Sequence, residues 1–78
     1  MAEDNVHKVL DIFSYFDSKA GEVLLATNFV AVGARRQWRM SDLQEGIEEA
    51  SRIGWVEAAP QGGWRLTEDG FREAAQHS

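Results

Sequence analysis

Apolar residues at positions 6, 9, 10, 13 and 16 recur at steps of three and four, which predicts a first helix capped by Asp4 or Asn5. Ile12 and Tyr15 widen the stripe beyond what one face needs. Either this helix lies in a cleft of its own domain, or the two residues form a second contact surface, most simply a dimer partner's. Residues 17–21, DSKAG, read as a connection. A second helix is expected over 21–34, with Leu24, Leu25, Asn28, Phe29 and Val32 on one face. Val23, Leu24 and Leu25 are short enough to form a strand instead. Gly33 sits where this helix should stop or turn, and residues 34–40, ARRQWRM, read as a polar and aromatic connection.

The run Ser41-Asp42-Leu43-Gln44 has the order of a capping box and predicts the start of a third helix. Asp42 complements the positive end of its dipole. Leu43, Ile47, Ala50 and Ile53 form its buried stripe. Gly46 inside it costs up to about 1 kcal/mol against alanine, unless something packs closely there. Gly54 predicts a left-handed stop. A strand over 55–58 and another over 64–67 flank the turn Pro60-Gln61-Gly62-Gly63, with Val56 inward opposite Leu66. A two-stranded hairpin is barely stable alone, so it must rest on the helices. Trp55 and Trp64 are expected to meet across it. Thr67 caps a last helix from Glu68 to about Gln76, with Phe71, Ala74 and Ala75 facing inward.

Composition narrows the class. A chain of 78 residues is one domain at most, with ends at 1–4 and 77–78 expected to fray. Its hydrophobic fraction of 44% suits a folded protein. The absence of cysteine removes disulfides and thiolate metal sites. No basic stretch followed by an apolar one opens the chain, and the longest apolar run, 23–32, falls short of the ~20 residues of a spanning helix. A cytoplasmic protein that does not cross the membrane is expected. The net charge of −5 is unevenly spread. Residues 23–41 contain no acid and three arginines, so that segment is +3 and the remainder −8.

The order of elements, together with Gly54-Trp55-Val56-Glu57 and Trp64-Arg65-Leu66-Thr67-Glu68-Asp69-Gly70, resembles a winged helix-turn-helix domain. The second run is similar to the aromatic-x-Leu-Thr-x-x-Gly that leaves the wing in bacterial transcription regulators of the MarR and PadR type. The likeness is strongest over 43–75. It implies an α+β fold of three helices, a two-stranded wing and a C-terminal helix, and it implies DNA binding in transcription regulation. By position, the third helix would present Asp42, Gln44, Glu45, Glu48, Glu49 and Arg52 to the groove. Four of these are acidic and repel a polyanion, so the expectation moves to the segment before the helix.

Arg35, Arg36, Gln37, Trp38 and Arg39 form the best electrostatic footprint in the chain for phosphate. Ser41 and Gln44 would then lie nearest the bases. Gln61, Gly62, Gly63 and Arg65 would add a contact from the wing. A bland reading stands beside each: the arginines pair with Asp42, Glu45 and Glu49, and the glycines serve only the turn. The rival function is a protein-interaction module, in one form a homodimer, docking through Ile12, Tyr15, Glu45, Glu48, Glu49, Trp55 and Trp64. His7 and Asp11 are spaced for a local pair or half a metal site, with no further ligand near in sequence, and His77 lies in the tail. No metal, cofactor or small-molecule ligand is expected. Nothing in the chain has the pattern of a nucleophile–base set or a phosphate-cradling loop, so no enzyme is expected.

Overall fold

The computed structural model describes residues 2–77, with side chains from Asn5 to Gln76. Of the ends expected to fray, Met1 and Ser78 lie outside the described residues, while the backbone of 2–4 and 77 is helical. Four helices and a small three-stranded antiparallel sheet make a mixed α+β arrangement. The order is α1 (Ala2–Tyr15), β1 (Val23–Leu24), α2 (Ala26–Arg36), α3 (Met40–Ile53), β2 (Val56–Ala58), β3 (Trp64–Leu66) and α4 (Glu68–His77). The expected cap of α1 at Asp4 or Asn5 is therefore corrected, because both lie inside the helix.

The stripe of α1 does what its spacing requires. Val6, Val9, Leu10 and Phe13 are buried, and α1 packs most closely on α3. The close approach has a cause in Gly46: a β-carbon there would fall on the backbone carbonyl of Asn5 and against Val9. Ile12 is also buried, at 0% exposure, so it belongs to the core and cannot present a contact surface. Tyr15, at the end of the helix, is 46% exposed. Ile53, expected in the stripe of α3, is likewise exposed, because the helix runs out past the core at its last turn.

Between α1 and α3 the boundaries differ from expectation. Val23 and Leu24 form a strand, and α2 starts five residues later than predicted. The Leu25 amide donates to the Asn28 side-chain oxygen (2.9 Å) and the Asn28 amide to the Leu25 carbonyl (2.9 Å), which satisfies the helix start. Gly33 does not stop α2. It lies within the helix, where a β-carbon would meet Leu43 Cδ1 at 2.8 Å, and the stop falls at Gln37 in a left-handed conformation. Arg35 and Arg36 are thus the last turn of α2, and only 37–39 connect it to α3. Helix α3 begins at Met40 with Arg39 at the cap position, so the expected capping box of Ser41 and Gln44 does not form. The stop at Gly54 is as expected, with φ of 89°.

The predicted hairpin gains a third strand. Strand β3 is central, in the order β1-β3-β2, with Val56 opposite Leu66 and Leu24 opposite Trp64. Val56, Leu66 and Leu24 turn inward and join Phe13, Phe29, Val32, Leu43, Ile47 and Ala50 in one core cluster. Phe29 meets Phe13 on one side (5.6 Å between centroids) and Trp64 on the other (5.5 Å), both edge-on, and so fastens the sheet to the helices. Trp55 packs on His7 instead (6.0 Å), so the expected pairing of Trp55 with Trp64 is corrected. The cause is register: Trp64 is opposite Ala58, and Trp55 precedes the strand. Thr67 joins the end of α3 to the start of α4. Its hydroxyl donates to the Gly54 carbonyl (2.6 Å) and accepts from the Gly70 amide (3.1 Å). No helix among the described residues is long and apolar enough to cross a membrane.

Candidate phosphate-binding surface

Arg35, Arg36 and Arg39 gather at the junction of α2 and α3 because the left-handed Gln37 turns the chain within three residues. The amides of Gln37 and Trp38 return to the carbonyls of Ala34 (3.3 Å) and Gly33 (2.9 Å). All three arginines are exposed. Trp38, between them, turns partly inward and packs against the core.

The charge pairing around this junction departs from the bland reading. Asp42 is held by Lys8 (3.8 Å), Glu49 by Arg52, and Glu45 accepts from the Asn5 side-chain amide (3.4 Å). Lys19 pairs with Asp17, Arg65 with Glu57 (2.9 Å) and Arg72 with Asp69. Among the described side chains, then, Lys8, Lys19, Arg52, Arg65 and Arg72 each hold a carboxylate, while Arg35, Arg36 and Arg39 hold none. The alternative pairing of the cluster with Asp42, Glu45 and Glu49 does not form: Lys8 holds Asp42, Arg52 holds Glu49, and Glu45 turns to the neutral amide of Asn5.

Aromatic side chains accompany the cluster. The Arg36 guanidinium stands 5.4 Å from the Trp38 ring centre and 6.0 Å from that of Tyr15. Lys8 Nζ lies 5.8 Å from the centre of the same Trp38 ring. Phe16 meets Tyr15 edge-on at 5.0 Å, and both rings are exposed. Cations so placed are drawn to the negative faces of the rings. Lys8 and Phe16 were absent from the sequence-based set, and Tyr15 was placed with the protein-contact residues. The signal was present: Lys8 and Tyr15 are seven residues apart, on one face of α1.

Of the other expected contributors, those of the β2–β3 hairpin lie elsewhere. Gln61 and Gly62 are exposed on the β2–β3 turn, with φ of 99° at Gly62 and 83° at Gly63. Gly63 backs onto Leu24 and Leu25, where a β-carbon would strike the Leu24 carbonyl. The turn therefore sits at the start of α2, whereas the arginines sit at its end. Eleven residues of helix separate them by about 16 Å. Arg65 is on central strand β3, tied to Glu57. Ser41 and Gln44 are exposed on the first turns of α3, beside the cluster. Further along α3, Glu45 and Glu48 are exposed and Glu49 is half-buried.

On the flank of α3 an open apolar groove of about 530 Å³ runs between α2 and α3, floored by Phe29, Leu43, Ile47 and Trp64. Val30 (49% exposed) and Met40 (48%) form its walls, and Gln44, Glu48 and Ser51 its rim. Among the described residues no group of three or more metal-ligating side chains gathers. Comparison of the chain with protein-family models, with curated proteins and with solved structures finds no match in any of the three.

Proposed function

We propose that the chain is a winged helix-turn-helix module that binds DNA, gripping phosphates at the α2–α3 junction. One observation carries the reading: among the described lysines and arginines, the clustered Arg35, Arg36 and Arg39 are the ones that hold no carboxylate, in a molecule of net charge −5. A cation that is already paired must surrender its partner before it can take a phosphate, while these three have no carboxylate to surrender. The order of helices, with an antiparallel hairpin after α3, supports the winged-helix part of the reading. Ser41 and Gln44 then stand nearest the bases. The wing turn stands at the far end of α2, and Arg65 is occupied by Glu57.

The test is fluorescence anisotropy with labelled DNA at about 50 and 200 mM salt. Three phosphate contacts give a log–log salt slope of about −2 to −3. Replacing Arg35, Arg36 and Arg39 together by alanine should abolish binding while leaving the circular dichroism spectrum unchanged and lowering the unfolding midpoint only slightly, through the lost contacts of Arg36 with Trp38 and Tyr15. Wild-type protein that binds no DNA at low salt would sink the reading.

A second reading, a protein-interaction module, is favoured by the apolar groove between α2 and α3. Sedimentation over a range of concentrations tests its homodimer form, and a strictly monomeric mass removes that form.

A further inference from the structure

The arginine cluster has two neighbours that set conflicting terms for a polyanion. Along α3 it borders carboxylates: Glu45 is six residues past Arg39 and Glu48 nine, about 9 and 14 Å along the axis. The first of these separations is close to one Debye length, about 8 Å, at physiological salt. A duplex laid on Arg39 along α3 carries phosphates on two strands across a broad front, and some would face Glu45 and Glu48. Towards α1 the cluster borders the exposed rings of Tyr15 and Phe16, with Trp38 and Lys8 behind Arg36. In a base-paired duplex the π-faces of the bases are covered by their neighbours, so these rings find nothing to stack on.

The geometry points to single-stranded nucleic acid as the ligand of this surface, with an unpaired base stacked on Tyr15 beside the Arg36 guanidinium while Arg35 and Arg39 hold the flanking phosphates. Interleaved aromatic rings and unpaired cations are what binding to a single strand requires, because every base has a π-face and every nucleotide a phosphate. A single strand can leave the cluster towards α1 and never cross the carboxylates of α3. Tyr15 is 46% exposed, and its contact with Arg36, at 6.0 Å, is at the outer limit of such interactions, so a base can take its place beside the ring at little cost. This inference rests on the phosphate-binding reading above and names the form of nucleic acid that the same arginines take.

The experiment compares a labelled dT oligonucleotide of about 16 nucleotides with a duplex of the same length, at two salt concentrations, on the intact chain. The single strand is expected to bind at least several-fold more tightly. Tyr15→Ala should lower single-strand affinity roughly five-fold or more with the salt slope unchanged, because stacking releases no counterions. Tyr15→Phe should restore it. Arg35→Ala with Arg39→Ala should instead flatten the slope. Equal or tighter duplex binding, or single-strand affinity indifferent to Tyr15→Ala, overturns the inference and leaves the phosphate reading standing. Failure of both probes to bind overturns both.

Discussion

Gly46 concentrates the local physics of this chain in one residue. Alanine in its place would gain up to about 1 kcal/mol of helix preference. It would also drive a methyl group into the Asn5 carbonyl, which is backbone and cannot swing aside. Forcing α1 away from α3 at their closest point should cost more than the propensity returns. Gly46→Ala is expected to destabilise the protein by about 1–3 kcal/mol, read as a lowered urea midpoint with an unchanged slope. Sequence reasoning reached half of this. It identified Gly46 as a helix-interior glycine that needs either tolerance or a close neighbour, and the neighbour is on another helix. The same limit appears at Gly33, whose reason is Leu43 Cδ1 and not a helix end. A glycine announces that something is unusual nearby; a stop and a close contact are written with the same letter.

At the scale of elements, the second half of the chain was the more legible. Hairpin, turn, register and final cap all carry strong local chemistry: positive-φ glycines, alternation and a threonine before two acids. Thr67 ties α3 to α4 through the Gly54 carbonyl and the Gly70 amide. Thr67→Ala should therefore cost about 1–2 kcal/mol, and Thr67→Ser most of that less, by thermal or urea unfolding. The first half misled because its signals were weak or duplicated. Val23-Leu24 suits helix and strand equally until β3 supplies a partner edge. Ser41 has the letters of a capping residue, yet the chain leaves the left-handed Gln37 early enough to begin α3 at Met40. Where two starts are nearly equal in local energy, packing chooses.

At the scale of the whole molecule, charge is arranged by contact as much as by composition. A net charge of −5 disfavours approach of a polyanion from a distance, and the exposed carboxylates of α3 do so locally. On the proposed function, replacing Glu45 and Glu48 by glutamine should strengthen binding of DNA at low salt by several-fold and raise duplex binding more than single-strand binding. Anisotropy titrations of both probes check this, and the gain should shrink as salt screens the removed repulsion. The candidate site itself was only partly legible. The clustering of Arg35, Arg36 and Arg39 is visible in the sequence, but which carboxylates they would meet is not. Lys8 comes from another helix to hold Asp42, and Arg52 claims Glu49.

The sequence by itself determined the stripes of α1 and α3 short of their last residues, the hairpin and its register, the glycine and threonine boundaries of the second half, and the contrast between a basic segment and an acidic body. These depend on residues near one another in the chain, where spacing alone sets which side chains share a face. Only the tertiary structure decided that Ile12 is core, that β1 completes the sheet, that the β2–β3 turn and the arginines stand at opposite ends of α2, and that the arginines hold no carboxylate among the described side chains while Tyr15 stands beside Arg36. Those outcomes depend on which of several energetically similar local choices brings distant segments into contact, and no local spacing encodes that competition.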